Sequence, residues 1–355
     1  MPADIYQKLA RRLDETPNGF SPTASGVELR LLAKIFTPAE AQLACVMSMH
    51  AESSAEIALR AGVDAREAHR TLKGMASKGL VRFKKGEGEL LFALMPFVVG
   101  FYEAQLPRMD EELARLFEQY FLESRGGIAQ VEPGVHRIIP VQEAIPHEIM
   151  IFPYEQASQM LKSAKAWGVR RCICRVQRQL ISKGCKYPVE SCLVFAPVVG
   201  AFDYSQEERA ISLEEALKIL HETEVLGLVH STGNYIDGID YICNCCPCCC
   251  GVMRAVTEFG ILTAVAHSDF YAVVDQDLCL GCGDCTTRCH FGALSLIDGK
   301  AVVNYAKCMG CGLCASACMV DGIHLNRRPA GETEPVPQNI KAWGMQRLER
   351  RGSRR

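Results

Sequence analysis

Between residues 37 and 94, apolar and polar positions follow a helical period three times and then a strand period twice. Thr37-Pro38-Ala39-Glu40 is a capping box with proline in the first turn, which predicts a helix running to His50. Ser53 and Glu56 repeat the signal, and Gly62 ends that second helix. Asp64 and Glu67 open a third, whose Ala68, Leu72, Met75 and Ala76 recur at helical spacing and turn inward. Residues 81–94 read as a hairpin around Lys85-Gly86-Glu87-Gly88. Leu113, Phe117, Tyr120 and Phe121 predict a connecting helix, broken afterwards by Gly126, Gly127, Pro133 and Gly134. Further on, residues 149–152, 169–175 and 193–195 read as short strands. Residues 154–167 and 212–226 read as helices, the second with Ser212 and Glu215 at its start and Gly227 at its stop.

Three short helices followed by a hairpin is the order of a winged helix. From Asp64 to Lys85 seven Lys or Arg face two Asp or Glu, and Arg66, Arg70 and Lys73 share the face of the third helix opposite its apolar one. Lys78, Arg82, Lys84 and Lys85 continue the positive surface into the wing. Such a face suits phosphate contacts, so Arg66, Arg70 and Lys73 are the candidate DNA contacts. A solvated face on a docking or dimerisation domain accounts for the same charges, and no base-reading pattern stands out.

The chain's 355 residues, 48 % of them hydrophobic, suffice for two or three domains with sizeable cores. Its formal charge of −2 does not describe a strongly basic nucleic-acid binder. The most apolar run, 90–104, is short and holds Pro96, Gly100 and Glu103, so no membrane span is expected. The opening MPADIYQKLARRLDE reads as a charged helix start rather than a signal peptide, and a cytoplasmic location is the expectation. Nineteen cysteines change the picture most. In a chain of this length without a secretory leader they point to metal binding or redox chemistry rather than to a disulfide framework. Cys45 stands apart in the first predicted helix of the 37–94 region and is expected to be a packed thiol.

Eight of the cysteines fall in an internal repeat. VVDQDLCLGCGDCTTRCHFGALSL aligns with VVNYAKCMGCGLCASACMVDGIHL at a constant offset of 29 residues, and each copy has the spacing C-x2-C-x2-C-x3-C. Three closely spaced thiolates reach three corners of one cubane from a tight loop, and the fourth corner must come from elsewhere. Gly281, Gly283, Gly310 and Gly312 allow the backbone to turn sharply beside the inorganic sulfides. Zinc ribbons are the competing arrangement, but they use two separated CxxC pairs rather than matched quartets. The segment 271–326 resembles the bacterial two-cluster ferredoxin fold. The resemblance implies two 4Fe-4S clusters with crossed ligation: Cys279, Cys282, Cys285 and Cys318 at one, and Cys308, Cys311, Cys314 and Cys289 at the other. The proline that usually follows the fourth cysteine is absent; His290 and Met319 stand there.

Ten more cysteines lie between 172 and 250. Cys172 and Cys174 are two apart on a predicted strand and so face one side, with Arg170, Arg171 and Arg175 beside them; Cys185 and Cys192 follow in GCKYPVESC. Cys243, Cys245, Cys246, Cys248, Cys249 and Cys250 crowd into eight residues, a density no ordinary packing explains. Adjacent cysteines point in different directions, so these six are not expected to share one centre. The leading expectation is one or two additional iron–sulfur clusters, with Cys172, Cys174, Cys185 and Cys192 as one set and part of 243–250 as another. Structural zinc and a dithiol redox site are the alternatives. The arginines offset cluster charge or line a solvated strand edge, and His230, Ser231, Thr232 and Asn234 form a polar patch that either hydrogen-bonds a cluster or, as the leading expectation, satisfies a loop. The motifs C-x-C-R, G-C-x2-P-x2-S-C-L and C-N-C-C-P-C-C-C, followed by the ferredoxin segment, resemble a family of multi-cysteine 4Fe-4S binding proteins of anaerobic bacteria. That likeness speaks to the cofactor rather than to a reaction.

The sequence thus predicts an α+β multidomain chain: an N-terminal winged-helix domain over 1–104, a connecting helix and linker over 105–135, a cysteine-rich α/β middle domain over 136–265, a ferredoxin-like 2x(4Fe-4S) module over 266–328, and a basic tail over 329–355 with at most one short helix. There is no G-x4-G-K-[ST] loop, nor a G-x-G-x-x-G opening a helix. The expected role is relay of single electrons to a redox partner protein, either an oxidoreductase or a small carrier. A redox-sensing DNA-binding regulator and a catalytic iron–sulfur reductase are the alternatives.

Overall fold

The computed structural model describes residues 2–352 and falls into two compact units. The first holds residues up to 131 together with 176–184 and the residues from 347 onward, and the second holds 132–175 and 185–346.

In the first unit, helices α1 (Pro2–Asp14), α2 (Val27–Ile35) and α3 (Pro38–Val46) lead into the short strand β1 (Glu52–Ser53), α4 (Ser54–Ala61) and α5 (Ala65–Ser77). The hairpin β2 (Val81–Lys85) and β3 (Leu90–Leu94) follows. The starts of α3, α4 and α5 are set by side chains. Thr37 and Ser53 each form a complete capping box with Glu40 and Glu56, and Asp64 accepts from the N–H groups of Arg66 and Glu67. Gly62 closes α4 in the left-handed conformation. The sheet order is β1-β3-β2, with Ser53 opposite Leu91 and Phe83 opposite Phe92. Helix α3 ends at Val46, short of the expected His50, because Met47 turns extended and is wholly buried.

Two expectations for this part of the chain change. The helix foreseen as a connector, α6 (Glu111–Glu123), packs against α2 inside the unit, and Phe20 stacks on Tyr120 at 4.8 Å. The basic end, expected as a tail with at most one short helix, carries one helix of 13 residues, Ile340–Gly352, and that helix is anchored to the first unit. Arg347 is completely buried and donates to the carbonyls of Pro17, Ile128 and Val131. A guanidinium with three backbone acceptors is satisfied without solvent.

The second unit is built on a seven-stranded sheet of order β10-β4-β8-β9-β6-β5-β7. Its strands are β4 (His136–Ile138), β5 (Ala166–Arg171), β6 (Glu190–Ala196), β7 (Glu208–Ile211), β8 (Val229–Gly233), β9 (Tyr241–Cys245) and β10 (Val265–Ala266). Only β10 and β4 run parallel. Helices α7 (Ala157–Ser163) and α9 (Leu213–Val225) pack on a core of Leu161, Val169, Leu193, Phe195, Ala216 and Ile242. Residues 149–152 are not a strand; they lead irregularly into a 3-10 turn at Pro153–Glu155. The strand expected through 175 stops at Arg171, and helix α8 (Ile173–Leu180) begins directly after Cys172. His230, Ser231 and Thr232 lie not in a loop but on β8, a strand buried along its whole length.

The ferredoxin segment follows as β11 (Phe270–Val274), α11 (Asp284–Arg288), β12 (Leu294–Ile297), β13 (Lys300–Val303) and β14 (Ile323–Arg327). Strand β11 pairs with β14 and β12 with β13, so each repeat lends one strand to each two-stranded sheet. The two copies are interlocked rather than side by side.

Candidate metal centres

That interlocking decides which cysteines meet. One cavity is lined by Cys279, Cys282 and Cys285 of the first run and by Cys318 of the second. The other is lined by Cys308, Cys311 and Cys314 together with Cys289. The backbone around them repeats with the 29-residue offset. The N–H groups of Ala301 and Ala272 point at the sulfurs of Cys279 and Cys308, both at 3.4 Å. Those of Ala293 and Gly322 point at Cys289 and Cys318, both at 3.3 Å. Sulfur accepting N–H bonds is sulfur prepared to carry negative charge, which is what an iron ligand needs. Gly281 and Gly310, at φ +69° and +68°, hold the loops tight: a Cβ on either would lie 2.0 or 2.1 Å from the carbonyl oxygen of Gly299 or Phe270. The donor set, the N–H groups and the glycine cradles all fit two cubanes.

The two cavities differ in wetness. Cys282 is exposed, and Leu280 and Met319 beside it are 73 % and 84 % exposed. Cys308 and Cys314 are buried. Backbone N–H bonds from Ala301 and Gly281 hold the Cys279 thiol low, whereas burial pushes Cys311 up to about 12. His290, where a proline is usual, reaches the carbonyl of Gly227 at 2.6 Å, and Arg288 donates to the carbonyls of Glu224 and Val225 at 2.8 and 2.7 Å. These bonds fix the module onto the C-terminal end of α9.

Outside the ferredoxin segment, the ten remaining cysteines of the second unit separate into two groups. Cys172 follows β5, Cys174 begins α8, Cys192 lies on β6, Cys243 and Cys245 share one face of β9, and Cys250 caps helix α10 (Gly251–Phe259). Their thiols are near neighbours in a closed ring, in the order 172, 174, 250, 245, 243, 192 and back to 172. The Ser231 hydroxyl lies 3.7 Å from the Cys245 sulfur. The second group is Cys185, Cys246, Cys248 and Cys249, packed with Leu228 and Tyr187. The expected set of Cys172, Cys174, Cys185 and Cys192 is therefore corrected: Cys185 leaves it. In the 243–250 run, neighbours such as 245/246 and 249/250 point to opposite groups. None of the nineteen cysteines forms a disulfide.

Of the three arginines, Arg175 alone serves the thiols. It is 1 % exposed, contacts Cys246, and donates to the Pro188 carbonyl, the Ser191 hydroxyl and the Asn244 carbonyl. Arg170 pairs with Glu208 at 3.4 Å, and Arg171 is exposed. Hydrogen bonding from Cys249, aided by the charge of Arg175, holds Cys246 down at about 5, while burial pushes Cys248 up to about 12. Within the ring only Cys172 is held low, by bonds from Cys174 and Cys192. The other five are raised, because crowded buried thiols cannot all ionise without a cation. Ser231, a member of the polar patch read from the sequence, supports the ring from within the sheet, as do Ser191 and Asn244, which no spacing in the sequence marks.

On α5, Arg66, Arg70 and Lys73 are all exposed. Lys78 does not extend their surface freely, because its ammonium pairs with Glu40 at 2.7 Å. Cys45 is a lone thiol whose sulfur faces the Ile5 carbonyl at 3.7 Å, and burial raises it to about 11.

Among the described residues, no helix is long and apolar enough to cross a membrane. Residues 271–319 match the family model of the 4Fe-4S dicluster domain. An uncharacterized ferredoxin of Methanocaldococcus jannaschii is 31 % identical over 73 residues, which is 21 % of this chain; the chain thus spans only 39 % of the length of that relative. No solved structure matches the chain. The C-terminal module is therefore a ferredoxin-type domain whose cofactors are 4Fe-4S clusters.

Proposed function

We propose that the chain relays single electrons between redox partner proteins through two 4Fe-4S clusters, with a further iron–sulfur cluster in the middle domain. Cys279, Cys282, Cys285 and Cys318 ligate one cluster, and Cys308, Cys311, Cys314 and Cys289 the other. The observation that carries this reading is the pair of cavities, each lined by three cysteines of one run and the fourth of the other. The clusters supply the redox change; the chain's own groups set the conditions for it. The N–H donors of Ala301, Ala272, Ala293 and Gly322 favour added negative charge, and burial of the inner cavity opposes it. The ring of Cys172, Cys174, Cys192, Cys243, Cys245 and Cys250 holds the middle-domain cluster, since six crowded thiols demand several metal ions. The test is iron and acid-labile sulfide analysis of anaerobically purified protein, with EPR after reduction. Two clusters of four account for eight irons, and more than eight are expected. Eight alone would remove the middle-domain cluster, and fewer would remove the relay.

A second reading, a redox-sensing regulator, draws on the exposed Arg66, Arg70 and Lys73 of α5. It requires DNA binding that weakens steeply with salt and changes with cluster state. Equal, salt-insensitive retention in the oxidised, reduced and cluster-free forms would discard it.

A further inference from the structure

The four sulfurs of Cys185, Cys246, Cys248 and Cys249 lie within 4.8 Å of one another. Cys185 stands 3.6 Å from Cys249 and 4.0 Å from Cys246. Four thiolates sharing one tetrahedral ion, each at about 2.3 Å, are separated by about 3.8 Å along every edge. Thiolates on the corners of a cubane stand farther apart, because each binds its own iron. The molecule supplies its own yardstick: among the described residues, neither the eight ferredoxin cysteines nor the six-thiol ring brings three sulfurs within 4.8 Å. The quartet is built to a smaller gauge than the cluster sites.

We propose that Cys185, Cys246, Cys248 and Cys249 bind a single zinc ion, separate from the iron–sulfur cofactors. Four thiolates fill a tetrahedral shell and leave no open position, which is the pattern of a structural rather than a catalytic zinc. One dication and four thiolates leave a net charge of −2, and the buried guanidinium of Arg175 lies against Cys246 to offset it. Leu228 and Tyr187 close the site from the side. The ion clamps the 185–188 loop to the 246–249 turn. Cys245 and Cys250 flank that turn, so the clamp fixes two members of the neighbouring ring. The quartet and the ring thus divide the labour of the ten cysteines, one for architecture and one for electrons.

Metal analysis of the full-length, anaerobically purified protein tests this. One zinc per chain is expected in addition to iron. Cys248→Ser should lower the zinc content to less than half while leaving the EPR signals of the reduced ferredoxin clusters unchanged. Zinc K-edge absorption on the unaltered protein gives an answer that does not depend on the variant folding, and the expected shell is four sulfurs at about 2.3 Å. Absence of zinc, a shell containing nitrogen or oxygen, or loss of iron rather than zinc in Cys248→Ser would overturn the proposal. None of those outcomes touches the eight ferredoxin cysteines, so the electron-relay reading fails or survives on its own iron count.

Discussion

Gly281 and Gly310 show how far single residues control the clusters. Each sits at positive φ with a backbone oxygen where a side chain would begin. Gly281→Ala is expected to cost about 2 kcal/mol or more in stability. It should also deplete the outer cluster, read as a fall in iron content and loss of one EPR component. Arg175 is the opposite case, a charge placed among thiols. Arg175→Met leaves the buried thiolates uncompensated and should destabilise the second unit by about 3 kcal/mol, with loss of middle-domain metal seen in metal analysis. His136 gives a pH dependence. Burial lowers its imidazole from 6.5 to about 4, so the charged form is penalised only in the folded state. The unfolded chain takes up the proton first as the pH drops below about 6.5, and stability declines by about 3 kcal/mol before levelling off near pH 4. Urea unfolding at about pH 7 and pH 4.5 should show a smaller difference in His136→Gln than in the unaltered chain.

At the scale of elements, local rules were legible where they are local. Thr37 with Glu40, Ser53 with Glu56, and Ser212 all cap helices where the sequence places them. Thr37→Ala and Ser53→Ala are each expected to cost about 1 kcal/mol, measured as a shift in the urea midpoint of the first unit. The duplicated cysteine runs were equally readable, because spacing alone distinguishes matched quartets from separated pairs. Illegible were the features set by distant chain. Nothing near Arg347 announces that three carbonyls of the 17–131 region will receive it. Val169 and Ile173 make residues 169–175 read as one strand, yet Cys172 marks the turn from β5 into α8. Nor does order along the chain reveal that Cys185 belongs with Cys246, Cys248 and Cys249, since that grouping depends on which way adjacent residues of a turn point.

For the molecule as a whole, cysteine is divided unevenly: eighteen of the nineteen lie in the second unit, and Cys45 alone in the first. Stripping the metals should therefore act on one unit. Without cations, crowded thiols in a low-dielectric sheet repel or stay protonated, and the binding energy that supports the fold is lost. Hydrogen exchange of the metal-free chain should show rapid exchange along β5, β6 and β9 while α3, α5 and the 81–94 hairpin stay protected. Equal protection in both units would mean that the metals are passengers.

The hydrogen bonds from Arg288 and His290 to the carbonyls at 224, 225 and 227 bear on how the duplicated half can be handled. A free-standing ferredoxin bearing proline in place of His290 could not be spliced in as an interchangeable cartridge: the graft would sever the imidazole link to Gly227 and uncover the seam beside Leu228. The host and its insert have been tailored to each other, and the two would have to be redesigned together.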